Sequence, residues 1–587
     1  MTVAARPPAD VPVLIAGGGP VGLATAMELS QHGIRSAVIE PRPEVAWLRP
    51  RAKTVSARTM EHFRRWGLAD ELRDRSPLKV GWSSDIVFCT TLTGREVYRF
   101  HDAFGLGLAG SDRVAEPGQQ TPQPVVEQLL REVAAADPNI ELITGWRVTG
   151  ANPDGASEPG SVLVTAEPAA RPGGPAQAPV TVAAAFVVGC DGPRSVIRDA
   201  IGGRYDGSED GRRNVNVTFR APALAALVPH GPAVQYWVLN PAQAGLMGRL
   251  DLDGTWWCIA NGVSQASAEA HAAGIVRAMT GLDVPFEVLA TDAWTARMQL
   301  ADRYGAGALF IAGDAAHQNP PYGGHGFNTG IGDAVNLGWK LAAVLHGWAP
   351  RSLLDTYQAE RRPVAQDTIA EAHRNMATLG PELADPRLAA TDEEFAAARP
   401  GARAAIERAK DREFHGLDLV LNYTYAGSPI IAAGAGERLP HAWLGPGDSL
   451  YDHLGPEFTL IRCGTRDDTL VQAAAALGLP LTVLDLDAPS QPRQPPAPHE
   501  TLAPHEAPAP HEAPAPHEAP APHEAPAPHE PLAPREAPTP HQPQESGWAG
   551  YLGGELVLVR PDQHVSWRGS TPQDPEAIIR RAVSPVG

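Results

Sequence analysis

A glycine-rich turn near the amino terminus constrains the fold more than any other feature of this sequence. Residues 11–16 form a nearly continuous apolar run, which is typical of a buried parallel strand. The run leads directly into Gly-Gly-Gly-Pro-Val-Gly, in which Gly17, Gly19 and Gly22 form the pattern GxGxxG. Glycines at this spacing permit a tight turn and a close approach of a pyrophosphate to the backbone.

The residues after this turn complete a βαβ unit. The pattern predicts a helix over 23–31, a second strand over 35–39 and an acidic residue, Glu40, at the end of that strand. An acid about 20 residues after the glycines binds ribose hydroxyls in dinucleotide sites. A glycine-rich turn without a ligand is the alternative, and the placement of Glu40 argues against it. The pattern alone does not separate FAD from NAD.

A second strand, turn and helix pattern occupies residues 308–343. An apolar run over 309–312 ends in Gly313 and Asp314, a loop rich in glycine and proline follows, and a helical pattern begins near Gly330. Glycines remove side chains, so that backbone N–H groups can approach a planar or anionic ligand, and the helix points its positive end into the loop. We expect Asp314 to accept hydrogen bonds from cofactor hydroxyls; a strand-end Asp that caps a helix is the alternative.

Residues 186–202 show a third strand, turn and helix pattern. A strand ends at Cys190, Asp191 and Gly192 form a turn, and a short helical pattern follows. The structural alternative is a helix cap followed by a surface arginine.

These three stretches resemble the FAD-dependent aromatic hydroxylases, the single-component flavoprotein monooxygenases related to p-hydroxybenzoate hydroxylase and phenol hydroxylase. Residues 313–343 follow the family's GD motif nearly position by position, and residues 353–363 (LLDTYQAERRP) continue it. The sequence DGPRSVIR, 191–198, matches the family's DG motif, with Ile197 in place of Val. Residues 49–52 match the PRA loop.

The resemblance implies that the first motif binds the ADP half of FAD and the GD motif binds the ribitol and flavin. The DG motif would contact both FAD and NAD(P)H. The implied cofactor residues are Gly17, Gly19, Pro20, Gly22, Glu40, Arg51, Gln123, Asp191, Gly192, Gly313, Asp314, Pro320, Gly323, Gly324, Gly326 and Asn328. Outside the resemblance, Arg51 reads as part of a solvated loop and Gln123 as a surface residue.

Several residues near the GD motif are candidates for contact with the reacting groups. The resemblance places Pro320 beside the flavin ring, and His317, Tyr322 and His325 could polarise a substrate hydroxyl. His317 belongs to the family pattern and has a purely structural role as its alternative. Substrate contacts are expected from Tyr322, His325, Trp237, Trp256, Trp257 and Met298, and for the tryptophans and Met298 a place in the core is the alternative.

The predicted architecture is α/β, with a Rossmann-like FAD-binding domain interleaved with a mainly antiparallel substrate sheet. We assign residues 1–80, 116–210 and 300–412 to the FAD domain, and residues 81–115 and 211–299 to the substrate domain. Residues 425–587 resemble, more loosely, the thioredoxin-like domain of larger family members. A second GxGxxG pattern in a βαβ setting does not occur between Gly33 and Gly313, so no separate Rossmann domain for NAD(P)H is expected. The family resemblance implies that NADPH or NADH binds transiently.

A six-residue repeat, APAPHE, interrupts the last domain over about 488–546. Its proline content rules out a helix or a strand ladder, so we expect a disordered or extended insert. The spaced histidines could hold a metal weakly, but a solvated spacer is favoured and no metal site is predicted.

Composition limits the partners of the chain. The length of 587 residues suggests two or three domains, and the net charge of −19 argues against nucleic acid. Four separated cysteines indicate neither a disulfide framework nor a zinc site. No apolar run is long enough for a membrane span, and no secretory signal follows Met1, so a cytoplasmic protein is expected. The expected partners are a small aromatic molecule and O2, and a homodimer is left open.

The predicted reaction is hydroxylation of a phenolic or polycyclic aromatic ring with NAD(P)H and O2. Two alternatives remain open from the sequence. A related flavoenzyme could perform epoxidation or Baeyer–Villiger oxidation on a polyketide-like substrate, or the chain could be a flavin-binding scaffold without turnover.

Overall fold

The computed structural model describes residues 6–153, 161–169, 178–208, 211–378, 383, 385–486 and 547–585. The repeat predicted as a disordered insert, and most of the Pro/Gly-rich stretch before Pro179, lie outside the described residues. Within the described ranges no helix is long and apolar enough to cross a membrane.

Six sheets contain the strands of the described residues. In chain order the strands are β1 Asp10–Ala16, β2 Ser36–Glu40, β3 Thr54–Val55, β4 Ile86–Cys89, β5 Glu96–Phe100, β6 Gln119–Gln120, β7 Ile140–Thr144, β8 Trp146–Asn152, β9 Val162–Pro168, β10 Val180–Gly189, β11 Tyr205–Ser208, β12 Arg213–Arg220, β13 Gln235–Val238, β14 Gly245–Arg249, β15 Thr255–Asn261, β16 Glu287–Thr295, β17 Met298–Ala301, β18 Gly305–Ala306, β19 Leu309–Ile311, β20 His317–Gln318, β21 Trp443–Gly445, β22 Asp448–Ser449, β23 Phe458–Arg462, β24 Leu481–Asp485, β25 Leu556–Val559 and β26 Val565–Gly569.

The α-helices cover the faces of these sheets. They are α1 Pro20–Gln31, α2 Ala57–Arg65, α3 Ala69–Arg75, α4 Gln123–Ala136, α5 Val196–Ala200, α6 Gln265–Thr280, α7 His325–Leu345, α8 Thr356–Met376, α9 Asp392–His415, α10 Asp418–Leu421, α11 Thr469–Leu477, α12 Gly547–Leu552 and α13 Pro575–Val583. Helices α2 and α3 are separate because Gly67 lies between them with φ of 74°.

The first sheet has the order β18-β19-β10-β1-β2-β7, and β9 and β8 continue from β10. The strands β7, β2, β1, β10 and β19 are parallel to one another. Residues 13–16 of β1 are completely buried, as a parallel strand with both faces covered requires. The Rossmann-like unit predicted from the glycine turn is confirmed.

The second sheet has the order β16-β12-β15-β14-β13-β4-β5 and is antiparallel except for the β13–β4 pair. Its two faces bury different apolar clusters. One face packs against α6 through Ile275, Val276 and Met279. The opposite face carries Trp237 and Trp257 and buries Tyr322 of the GD loop. The predicted, mainly antiparallel sheet is therefore present, and one of its faces packs against the GD loop of the first domain.

Helix α9 differs from its predicted assignment. The sequence placed residues up to 412 in the FAD domain, but Ile406 and Phe414 of α9 join the aromatic cluster of the second sheet. The ring of Phe414 lies 5.0 Å from the ring of Phe100 in β5. This part of the boundary prediction needs correction, since α9 packs on the substrate sheet.

The last domain has the strand order β24-β23-β25-β26. Strands β23 and β24 are parallel and are joined through α11, whereas β25 and β26 form an antiparallel hairpin followed by α13. This βαβ unit followed by a ββα unit agrees with the predicted thioredoxin-like topology. Cys463, which directly follows β23, is buried and forms no disulfide within the described residues.

Candidate active site

Three turns predicted separately from the sequence meet at one edge of the first sheet. They follow the carboxyl ends of β1, β10 and β19, which are adjacent parallel strands in which Ala16 pairs with Gly189 and Gly189 pairs with Ile311. Ligands of open α/β sheets bind outside the carboxyl ends of the strands, where the strand order reverses. The strand order reverses at β1, because the chain continues from β1 to its neighbour β2 on one side and later places β10 on the other side of β1.

The first turn is shaped by glycines with distinct roles. Gly17 has φ of 102°, and a Cβ there would lie 2.4 Å from the carbonyl oxygen of Cys190. A Cβ at Gly22 would lie 1.9 Å from the oxygen of Gly17, so both positions need glycine for packing. A Cβ at Gly19 would meet nothing within 4 Å. Gly19 therefore leaves open space at the amino end of α1, which begins at Pro20 and can receive a phosphate.

Glu40 is buried beside this turn. Its Oε2 accepts a hydrogen bond from the Gly18 N–H at 2.8 Å, and its Oε1 accepts from the Arg42 side chain at 2.7 Å. Arg42 also donates to Glu127 at 2.9 Å, a contact that the sequence reading missed. Each carboxylate oxygen has two lone pairs, so Glu40 can still accept from a ribose hydroxyl while it holds the turn.

The DG turn offers a carboxylate oxygen that the described residues leave unsatisfied. Oδ2 of Asp191 accepts from the Val196 N–H at 2.7 Å, whereas its buried Oδ1 has no hydrogen-bond partner in the described part of the chain. Burial raises the pKa of this carboxyl. A buried unsatisfied oxygen is costly, and a ligand hydroxyl would remove that cost. Gly192 follows with φ of 77°.

The GD turn places its two residues differently. Gly313 has φ of 61° and donates its N–H to Asp333 at 3.1 Å, so that it faces the protein interior. The Asp314 side chain is exposed at the strand edge, while its backbone carbonyl accepts from the Tyr205 hydroxyl at 2.5 Å. The carboxylate of Asp314 is therefore accessible to a bound ligand, as a cofactor contact requires.

The glycine loop that follows leads into an uncapped helix. Gly323 and Gly324 have φ of 91° and 70°, and Gly324 is the N-cap of α7 without a side-chain cap. The first N–H groups of α7 are thus free for an acceptor. Pro320 of the loop is buried, and a Cβ at Gly326 would lie 3.0 Å from Asn319 Oδ1.

Two predicted cofactor residues instead fix the surrounding loops. Asn328 donates to the Gly324 oxygen at 2.7 Å and accepts from the Ser56 N–H at 2.9 Å, so that it ties α7 to the residues after β3. The side-chain oxygen of Gln123 accepts from the Ala52 N–H at 3.3 Å and holds the PRA loop. Arg51 in that loop is exposed.

The two histidine candidates contact residues of the first domain. His317 is buried, and its Nε2 lies 2.8 Å from Asp333 Oδ2, which favours the structural alternative. His325 lines a cleft behind α7 together with Thr59, His62 and Thr368. Burial lowers the pKa of His325 to about 4, so its imidazole is neutral near pH 7. These contacts favour a structural role for both side chains, and polarisation of a substrate hydroxyl by His317 or His325 stays a prediction.

The aromatic candidates separate onto the two faces of the second sheet. Trp237 and Trp257 lie in the cluster that contains Tyr322, whose hydroxyl donates to Asn261 Oδ1 at 3.4 Å. Trp256 belongs to the opposite face, under α6, because successive residues of a strand point to opposite sides. This position favours the alternative role of Trp256 as a core residue.

Met298 lies outside the aromatic cluster. It is half-buried in β17 and pairs with Ser208 of β11. The next residue, Gln299, pairs with Gln318 of β20, so Met298 lies close to the start of the glycine loop.

Two lysines that the sequence reading missed lie against the tryptophans. Lys53 Nζ is 4.4 Å from the centre of the Trp257 ring, and Lys410 Nζ is 4.3 Å from the centre of the Trp237 ring. Lys410 also lies 2.6 Å from Glu413 in a buried ion pair. Two features of the sequence could have drawn attention to these lysines. The chain has only four lysines, and Lys53 directly follows the PRA motif.

This geometry defines a dinucleotide-binding fold. Its site borders the face of the second sheet that carries Trp237, Trp257 and Tyr322, which we call the aromatic wall. A family profile described as "FAD binding domain" matches residues 10–372. The chain belongs to this family, and it is an FAD-dependent monooxygenase with the mixed α/β fold of its relatives. The unsatisfied oxygen of Asp191 and the open space at Gly19 fit the family's cofactor.

Relatives of known name cover most of the chain. The FAD-dependent monooxygenase apdD of Emericella nidulans is 30% identical over 539 residues, which are 81% of this chain and 83% of that protein. The 4-methyl-5-nitrocatechol 5-monooxygenase of a Burkholderia species is 32% identical over 511 residues, 82% of this chain and 89% of that protein. The structure of the rebeccamycin biosynthetic enzyme RebC with reduced flavin has a TM-score of 0.79 at 29% identity and covers 99% of this chain and 100% of that one.

Proposed function

We propose that this FAD-dependent monooxygenase hydroxylates a phenolic or polycyclic aromatic ring with NADPH or NADH and O2. The observation that carries the proposal is the aromatic wall of Trp237, Trp257 and Tyr322. Tyr322 belongs to the glycine loop, so the wall adjoins the cofactor edge, which is the edge of the first sheet where the three turns meet. Relatives support the substrate class, since their names include a nitrocatechol monooxygenase and the tetracenomycin B2 monooxygenase-dioxygenase of Streptomyces olivaceus.

In this proposal the chain's own residues bind, orient and shield. Gly19 and the amino end of α1 receive the pyrophosphate, while Glu40, Asp191 and Asp314 accept hydrogen bonds from hydroxyl groups. Bound FAD supplies the oxygen chemistry after reduction by NAD(P)H. The aromatic wall stacks the substrate ring and excludes water from it.

The test begins with Asp314, whose exposed carboxylate is the proposed contact to the ribitol chain. A hydrogen bond to a charged group contributes about 1.5 to 3 kcal/mol, so Asp314→Ala should weaken FAD binding by roughly 10- to 150-fold. Titration of the FAD-free protein with FAD measures the affinity. Asp355→Ala removes an exposed aspartate without a side-chain cap contact and serves as the matched control.

The reaction itself is tested with the FAD-loaded protein. NAD(P)H consumption should rise in the presence of a phenol, and the product should carry one added ring hydroxyl. Oxygen insertion at a ketone or alkene would reject the aromatic substrate and keep the flavin site. Unchanged FAD affinity in Asp314→Ala would reject the proposed cofactor contact. A homodimer stays a prediction that sedimentation of the holoenzyme measures.

A further inference from the structure

Lys53 lies at the junction of the cofactor edge and the aromatic wall. Its carbonyl accepts from the Thr121 N–H at 3.0 Å, which fixes the backbone next to α4. The next residue, Thr54, abuts the glycine loop, because a Cβ at Gly324 would lie 2.9 Å from Thr54 Oγ1. The backbone of Lys53 is therefore held beside the amino end of α7.

The side chain of Lys53 reaches from this position to the substrate sheet. Its Nζ lies over the Trp257 ring and donates to the Arg51 carbonyl at 3.1 Å. Trp257 and Asn261 lie on the same face of β15, since residues two and four apart in a strand share a face, and Asn261 accepts from the Tyr322 hydroxyl. The ammonium group thus belongs to the same wall as Trp257 and Tyr322.

The charge of Lys53 lacks a counter-ion among the described residues. The buried Lys340 and Lys410 are paired with Glu360 at 2.7 Å and Glu413 at 2.6 Å. By contrast, no carboxylate of the described chain lies within 4.0 Å of Lys53 Nζ. Burial lowers the pKa of Lys53 to about 7, and the Cys258 thiol, in β15, is the titratable group that opposes this shift. Lys53 is half-buried, and a cation that is partly removed from water without a counter-ion carries a desolvation cost.

We propose that Lys53 binds an anionic oxygen of the aromatic substrate, so that the enzyme selects rings bearing a phenolate or carboxylate group. The inference rests on the proposed function, because it assumes that the aromatic wall is the substrate site. An anionic oxygen next to Nζ would supply the missing counter-ion while the ring packs against the tryptophans. The Trp257 ring and the Arg51 carbonyl carry no net charge, so these two contacts leave the ammonium group without a counter-ion.

Equilibrium binding to the oxidised FAD-loaded protein, without NAD(P)H, provides the test. The probes are naphthoate, naphthol and the neutral methoxynaphthalene, which share one ring system. Lys53→Met should weaken naphthoate binding by about 10- to 150-fold and leave methoxynaphthalene affinity nearly unchanged. Lys79→Met is the matched control, because Lys79 is exposed and its Nζ donates to the carbonyls of Arg73 and Asp74.

The pH profile separates charge recognition from packing. Naphthoate stays ionised from pH 6 to 9, so its affinity for the wild type should fall above about pH 7 as Lys53 loses its proton. Lys53→Arg should keep the affinity and remove this fall, because arginine stays charged. Lys53→Met should give a flat profile. A fall that persists in Lys53→Met would overturn the proposal.

The two sources of the anionic oxygen are distinguished by the naphthol arm. If Lys53 binds a phenolate, naphthol bound to the wild type should show naphtholate absorbance that disappears in Lys53→Met. If it binds a carboxylate, naphthoate alone should depend on Lys53. Equal affinities of wild type and Lys53→Met for both acidic probes would reject the inference.

Failure of the inference and failure of the proposed function give different results. A protein that binds FAD and hydroxylates phenols, but whose anion affinity is independent of Lys53, rejects the inference alone. A protein that shows no phenol-stimulated NAD(P)H consumption rejects the proposed function. Wild type that binds methoxynaphthalene as tightly as naphthoate and naphthol also overturns the role of Lys53. FAD content of each variant, measured by absorbance, checks that the variant has folded.

Discussion

At the scale of single residues, Asp333 connects the GD turn to the protein interior. Its carboxylate accepts from the Gly313 N–H at 3.1 Å, His317 Nε2 lies at 2.8 Å, and Arg361 Nε donates at 2.8 Å. Burial raises the pKa of Asp333, but Arg361 and His317 outweigh burial and hold that pKa below its usual value. The residue that the sequence suggested as catalytic, His317, is therefore one member of a buried network behind the cofactor edge.

Loss of the Asp333 charge should be strongly destabilising. Asp333→Asn leaves Arg361 as a buried charge without its carboxylate, and breaking such a pair costs about 3 to 5 kcal/mol. Urea unfolding measures the loss, and Asp367→Asn on the exposed side of α8 should stay within about 0.5 kcal/mol of wild type. Equal stability of the two variants would show that the network contributes little.

The tryptophans show what residue patterns can and cannot predict. Trp256 and Trp257 are neighbours in a strand, so the sequence already required that they face opposite sides of the sheet. It did not reveal which side borders the site, because that depends on where the distant Tyr322 packs. Likewise the glycine patterns predicted their turns correctly. The hydrogen bond that the Asn328 side-chain oxygen accepts could not be predicted, because its donor, Ser56, is 272 residues away.

At the scale of elements, helix α7 uses its glycines for close packing. A Cβ at Gly330 would lie 2.6 Å from Val21 Cγ2 and 3.1 Å from Gly313 Cα, and a Cβ at Gly338 would lie 2.5 Å from Glu28 Cγ. The helix can therefore approach α1 and both cofactor turns. The sequence predicted the helix but placed its start near Gly330, whereas α7 begins at His325. The face that contacts α1 followed only from the fold.

A methyl group at Gly330 should disturb both cofactor turns at once. Gly330→Ala forces Val21 and the backbone of Gly313 apart, and overpacking of this kind costs about 1 to 3 kcal/mol. The variant should unfold earlier and release FAD more readily, as denaturant titration and flavin fluorescence would measure. Gly401→Ala in α9 is the control, because a Cβ there meets nothing within 4 Å and alanine favours a helix by about 0.5 to 1 kcal/mol. If both variants behave alike, close packing at Gly330 is unimportant.

At the scale of the whole molecule, the last domain is joined to the first by buried charges. Arg560 donates to Glu360 at 2.8 Å, and Lys340 lies 2.7 Å from the same carboxylate. Arg58 of α2 donates to the Asp562 carbonyl at 2.7 Å. The thioredoxin-like order of strands could be predicted from the sequence. The attachment could not, because residues 560–564 resemble a polar hairpin turn and their charged partners in the first domain lie at least 200 positions earlier.

A second link between these domains should make stability depend on pH. His32, which ends α1, lies 2.9 Å from Glu457 Oε1 and 3.4 Å from Glu28 Oε1, with its side chain fully buried. Burial lowers its pKa, but the two carboxylates outweigh burial and raise the pKa to about 9. A raised pKa in the folded state stabilises the protein fully below the unfolded pKa of 6.5 and loses this effect as pH rises through 9. The free energy of unfolding should therefore fall by on the order of 3 kcal/mol between these values.

His32→Gln removes the titrating group and should flatten this part of the profile. Urea unfolding of wild type and variant at several values between pH 6 and 10 measures the difference. His101→Gln is the control, since the His101 side chain is 70% exposed beside Asp85 and should leave the wild-type fall in place. A fall of equal size in His32→Gln would mean that another group produces it. A flat wild-type profile would mean that the carboxylates do not hold His32 in its charged form, and the contact between α1 and the last domain would then be neutral.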